Sequence, residues 1–275
     1  MNSASPSSPA LSSAARASSA GYWVGLYVLI AAAWIALYVL SLGHISTPLF
    51  GVLDSRFDLV AWQQLCRTAS SDVALMPLIG MWTLMTLAMM LPSALPFLRT
   101  YQDIATIAPG DDASSRVGVT AGYLTAWLGF SLLAALAQRW GTQGSIITPH
   151  GIIIAGWAGA SLLLIAGAYQ LSPLKGRALA VCRQPMQFLF LHWRSGHVGA
   201  GKIGLLHGLY CVACCWALML LGFVAGTMNM LWMGLATLIM GVEKLGWGGN
   251  AVTRCTGFAL LAAGLFLAGK LGGTQ

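Results

Sequence analysis

Residues 204–219 read Gly-Leu-Leu-His-Gly-Leu-Tyr-Cys-Val-Ala-Cys-Cys-Trp-Ala-Leu-Met, a stretch that gathers half of the cysteines of the chain beside a histidine. On a helix of 3.6 residues per turn, His207, Cys211, Cys214 and Cys215 fall along one broad face. One imidazole and three thiols would then line a single wall. Thiolate and thioether sulfur are soft ligands suited to Cu(I), whereas cysteine with histidine also suits Zn(II). The methionines tilt the balance toward Cu(I): Met85 and Met89 follow Met81 at four-residue intervals, and Met219 lies beyond the cysteines on their own run. A further stripe at helical spacing, Asn229, Met233, Ala236, Met240 and Glu243, carries the lone glutamate of the chain. Each residue also has a packing role open to it, since free Cys is a small apolar side chain and Met fills irregular gaps. It is the clustering that argues for a metal or for redox chemistry.

These residues need elements to hold them, and composition says what kind. Of 275 residues 57% are hydrophobic and only 8% charged, with 33 glycines and a mean hydropathy of +0.76. Ordinary globular domains carry roughly 25% charged residues, so a soluble enzyme is excluded. Apolar runs at about 22–42, 73–95, 117–136, 151–169, 202–223, 228–245 and 251–271 are each near the ~20 residues that a membrane helix requires. The expectation is an all-α, polytopic transmembrane helical bundle of about seven spans, or six if one weak run merges. It divides into a disordered Ser/Ala-rich tail over 1–20 and a single transmembrane domain over 21–272. Pro77 and Pro92 fall in the second run, where neighbouring groups must satisfy the carbonyls that proline frees.

Lys plus Arg number 14 against 7 Asp plus Glu, a formal charge of +7. In a chain of this kind the positive charge marks the cytoplasmic side rather than a nucleic-acid partner. Placing the N-terminus inside leaves only Arg56, Arg67, Arg139 and Lys270 on the far side, which supports that orientation. The basic loop 171–201 dominates the count, and within it residues 184–194 have an apolar body and basic flanks, as an interfacial helix or a re-entering segment would. Gly118 with Gly122, Gly204 with Gly208 and Gly222 with Gly226 have the spacing that lets helix backbones approach closely. His44, His150, His192 and His197 read as loop or interface residues. Cys66 reads as a lone external thiol, and Cys182 and Cys255 as reduced cytoplasmic thiols.

From about Pro77 to Gly248 the text resembles a bacterial family of predicted metal-binding integral membrane proteins. The resemblance rests on residues 82–92 (Trp-Thr-Leu-Met-Thr-Leu-Ala-Met-Met-Leu-Pro), 166–175 (Ala-Gly-Ala-Tyr-Gln-Leu-Ser-Pro-Leu-Lys) and Cys182-Arg183-Gln184-Pro185. The His207–Met219 run, Met228-Asn229, Trp232-Met233 and Glu243-Lys244 complete it. It implies a metal and a multi-pass location in the bacterial inner membrane. The family pattern places a further Cys four residues before Cys182, where this chain has Ala178, which weakens a site built on the basic loop and favours the 211–215 cluster.

The reading is therefore a membrane protein that binds Cu(I) between helices, with zinc as the other metal, and transports or delivers it. Cys211, Cys214 and Cys215 would be principal ligands, and Met85, Met89, Met219 and Met233 exchangeable thioether steps. His207 and Glu243 would mark where the ion enters or leaves. The lipid bilayer, a metal donor or acceptor protein and a second copy of the chain are the partners this implies, and nucleic acid is not. Two alternatives stay open: a membrane thiol-disulfide oxidoreductase using Cys211 and Cys214, and a non-catalytic assembly subunit.

Overall fold

The computed structural model describes residues 9–42, 75–106, 113–148, 151–245 and 248–272. His44, Arg56, Cys66, Arg67 and His150 lie outside them. Among the described residues the chain is all-α, apart from one isolated antiparallel bridge between Ile147 and Ile153. The helices are α1 (Pro9–Leu42), α2 (Leu75–Ala105), α3 (Ala113–Gln143), α4 (Gly156–Gln170), α5 (Pro173–Arg183), α6 (Pro185–His192), α7 (Gly196–Leu220), α8 (Gly222–Ala225), α9 (Met230–Lys244) and α10 (Gly249–Gly272). The first of these begins inside the Ser/Ala-rich tail, whose residues 1–8 are not among those described.

Among the described residues five helices are long and apolar enough to cross a membrane: Ser19–Ser41, Leu75–Ala105, Ser114–Gln143, Gly196–Ala225 and Gly249–Gly272. The other two apolar runs form α4 and α9, each of 15 residues. At a rise of ~1.5 Å per residue such a helix covers roughly 22 Å, short of a hydrocarbon core of about 30 Å. The shortening of α4 has a visible cause: residues 151–155 leave the helical pattern to form the turn and bridge with Ile147, with Ile154 N–H donating to the Ile146 carbonyl at 2.9 Å.

Local sequence explains the elements. In α2, Pro92 has no N–H to offer the carbonyl of Ala88, and the indole of Trp34 on α1 donates to that oxygen at 2.9 Å instead. Asn229 caps α9 by accepting from the Trp232 N–H at 3.1 Å. Gly226, at φ 95°, adopts the left-handed conformation that turns the chain between α8 and α9.

Helices α3 and α7 pack backbone to backbone, and glycine makes it possible. A Cβ on Gly208 would stand 2.8 Å from Ala126 Cβ and 3.0 Å from the Tyr123 carbonyl oxygen. On Gly122 or Gly204 it would run into the carbonyl oxygens of Gly201 and Val119. Two of the three glycine pairs read from spacing thus face each other across this seam. The third, Gly222 with Gly226, lines no seam, since Gly222 meets nothing nearer than Thr227 at 3.9 Å. In the structure α7 packs chiefly on α3, because the glycine seam admits that backbone, while α9 lies mainly against α10 and α2.

Candidate metal centre

The cysteine run lies on α7, packed against α3 and facing α5. Cys211, Cys214 and Cys215 are all buried, at 2%, 1% and 1% exposure. Cys214 Sγ touches Cys215 Sγ at 3.2 Å and donates to the Cys211 carbonyl at 3.2 Å, one turn back. The residue that completes a metal-sized cluster comes from another helix. Cys182 Sγ lies 3.8 Å from Cys214 Sγ, and the sulfurs of Cys182, Cys211 and Cys214 are all within 4.8 Å of one another.

Helix α5 is built to present that thiol. Ser172 caps it by accepting from the Lys175 N–H, and Pro173 occupies its first turn. Its end is fixed by Gln184-Pro185, because a residue preceding proline is driven out of helical conformation; Gln184 has φ −123° and ψ 63°. Cys182 therefore sits in the last turn of α5, half-buried, where the helix lies against α7. Arg183 holds this end in place, donating from Nε to the Glu243 carbonyl at 2.7 Å and from a terminal nitrogen to Asn250 Oδ1 at 2.6 Å. Hydrogen bonding to Cys211, reinforced by burial, holds the Cys182 thiol well above the usual cysteine range, with Cys214 pulling the other way.

Polar groups surround the Cys211 sulfur. The hydroxyl of Tyr123 on α3 lies 3.2 Å from it and donates to the Met90 carbonyl at 3.1 Å. The ammonium of Lys244 on α9 donates to the same sulfur at 3.1 Å and to Ser93 Oγ on α2 at 2.6 Å. One sulfur thus meets side chains from two other helices.

The remaining residues expected at a site are placed as follows. His207 is buried one turn before Cys211, stacked on Phe97 with ring centroids 3.7 Å apart, and its Nδ1 has no hydrogen-bond partner. It stands outside the sulfur trio. Met85, Met89, Met219 and Met233 are all buried in the same core. Glu243 does not pair with its neighbour Lys244. Its carboxylate accepts from Lys175 Nζ at 2.7 Å and from the Gln170 amide, while Lys175 Nζ also donates to Gln170 Oε1 at 2.5 Å.

Reading along the chain missed Cys182, Lys244, Tyr123 and Ser93 as neighbours of the cluster. The Cys182-Arg183-Gln184-Pro185 motif was the available signal for the first of these. The cysteines of the described residues are free thiols, and three soft sulfurs at this spacing form a donor set for a soft metal ion. No curated protein and no solved structure matches the chain. Residues 79–267 match the family of copper chaperones known as PpoB2, and with well over half of its length inside that match, the chain belongs to the copper chaperone family.

Proposed function

We propose that the protein is an integral membrane chaperone that holds Cu(I) on the thiolates of Cys182, Cys211 and Cys214 and delivers it to an acceptor protein. The observation that carries this reading is the convergence of three sulfurs, from α5 and α7, within 4.8 Å of one another. Thiolates select Cu(I) over harder ions, and the copper chaperone match supports copper as the cargo. Cys215, with its sulfur against Cys214, is a fourth thiol to which the ion can pass. The buried thioethers of Met85, Met89, Met219 and Met233 and His207, whose Nδ1 has no hydrogen-bond partner, are further stations for its movement. Glu243 serves the site indirectly, by fixing the end of α9.

Five apolar helices of membrane length support insertion in a bilayer, and the excess of basic residues over the loop 171–201 supports a cytoplasmic N-terminus in a bacterial inner membrane. Partial exposure of Cys182, against near-complete burial of Cys211 and Cys214, favours α5 as the side from which a partner reaches the ion.

The test is anaerobic titration of the detergent-purified protein with Cu(I) in competition with a chromophoric chelator. Wild-type protein is expected to take the ion from the chelator, and the Cys182→Ser/Cys211→Ser/Cys214→Ser variant is not. Equal uptake by the two proteins would remove the proposal.

A further inference from the structure

Among the described residues, the charges near the sulfur cluster do not cancel. The only glutamate of the chain is committed to Lys175, in an ion pair with both side chains 1% exposed. Arg183, beside Cys182, donates to the Glu243 carbonyl and to Asn250, both neutral, and keeps a buried terminal nitrogen without a hydrogen-bond partner. Lys244 is the cation that touches a sulfur of the trio. Among the described residues no carboxylate lies within ion-pair distance of its ammonium, which donates to Ser93 Oγ at 2.6 Å and to Cys211 Sγ at 3.1 Å. A cation in such surroundings draws its compensating negative charge from the sulfurs.

We propose that Lys244 sets the metal specificity of the site, favouring a monovalent over a divalent ion on the same three thiolates. This rests on the copper-binding reading above and adds the reason for the choice of ion. Three thiolates around a monovalent ion leave two negative charges, whereas around a divalent ion they leave one. An ammonium in contact with Cys211 stabilises each complex in proportion to its net negative charge. It therefore favours the monovalent complex by the interaction of one unit charge. Away from bulk water and at contact distance, that interaction is on the order of tenfold or more in relative affinity. Sulfur softness alone does not supply this preference, because Zn(II) is also well bound by thiolates.

The geometry makes the cation a fixed part of the site. Ser93, one position after Pro92 on α2, anchors the ammonium with a second contact, and its own hydroxyl donates to the Met90 carbonyl at 2.8 Å. The Glu243–Lys175 pair, one residue earlier on α9, fixes the rotation of that helix so that Lys244 faces α2 and α7 while Glu243 faces α4 and α5. Adjacent residues of opposite charge thus serve different partners.

The experiment compares wild type, Lys244→Met and Lys244→Arg in detergent, measuring Cu(I) and Zn(II) affinities separately by chelator competition at one pH. The expected result is a loss of Cu(I) preference over Zn(II) of about tenfold or more in Lys244→Met, restored in Lys244→Arg, which keeps the charge. A ratio unchanged in Lys244→Met overturns the inference, even if both affinities fall together, since a merely structural lysine would weaken both metals alike. Should Lys244→Met fail to fold, as judged by circular dichroism, the neutral Lys244→Gln carries the same comparison. Absence of Cu(I) uptake by wild type defeats the copper-binding reading itself, and specificity falls with it; Cu(I) uptake with an unmoved ratio defeats only the role of Lys244.

Discussion

Lys175 on α5 and Glu243 on α9 meet at 2.7 Å, fully enclosed, with Gln170 of α4 hydrogen-bonded to both. Three helices are registered by one charge pair. Removing one member of such a pair leaves a buried charge without its partner, at a cost of about 3–5 kcal/mol. Lys175→Met and Glu243→Leu should each lower the thermal midpoint of the detergent-solubilised protein sharply, and the double substitution should recover part of the loss. Single variants that melt with wild type would show that the pair does not hold the helices.

The ligand set makes a second prediction. Cys182→Ser should weaken Cu(I) binding by more than the ~10-fold that removal of a supporting residue can cost. Cys215→Ser should have the smaller effect, because its sulfur reaches Cys214 but stands outside the trio. Chelator competition on the two variants side by side reads the difference. A reversed order would place the ion deeper along α7 and away from α5.

Acid should release the metal. Hydrogen bonding to Cys211 and burial raise the Cys182 thiol above its ordinary range, so near neutral pH its free form is protonated. Binding must expel that proton, and affinity for Cu(I) should rise with pH and fall in acid. The measurement is Cu(I) affinity across a pH series, with proton release followed in weak buffer; an affinity independent of pH would mean that the thiols bind without deprotonating.

The glycine seam can be probed with a built-in control. Gly204→Val places branched carbons against the Val119 carbonyl and must force α3 and α7 apart, a clash of the kind that costs at least ~1–3 kcal/mol. Gly129, also on α3, has nothing within 4 Å of where a Cβ would stand, so Gly129→Ala should be neutral or slightly stabilising. Yield and thermal midpoint distinguish them, and equal behaviour would mean that the seam is not close-packed.

How far the sequence discloses this arrangement depends on how far apart the partners lie along the chain. Helical periodicity places His207, Cys211, Cys214 and Cys215 on one wall because they share a helix, and the structure has that wall. The same rule is silent about Cys182, which arrives from α5, 32 positions before Cys214. Depth along α9 marks Glu243 as an ionisable group in an apolar setting, yet its nearest neighbour in sequence, Lys244, is not its partner; Lys175, 68 positions away, is. Pairings of this kind are decided by tertiary packing, which no spacing within one run encodes. Run length likewise foretells helices at all seven apolar stretches but not the truncation of α4, where a turn and a backbone bridge take residues 151–155.

If the copper-binding reading holds, the split of the sulfur cluster between α5 and α7 would make the cargo a clasp. An ion shared by Cys182 and Cys214 ties together two points 32 positions apart and closes a loop that contains the whole of α6. Such a cross-link narrows the excursions open to the enclosed chain, and unlike a disulfide it opens as soon as the ion leaves. The loaded and empty forms should therefore differ in how readily a protease cuts between α5 and α7. An acceptor that discriminates between slack and taut versions of this loop can tell, before any sulfur is exchanged, whether there is copper to collect.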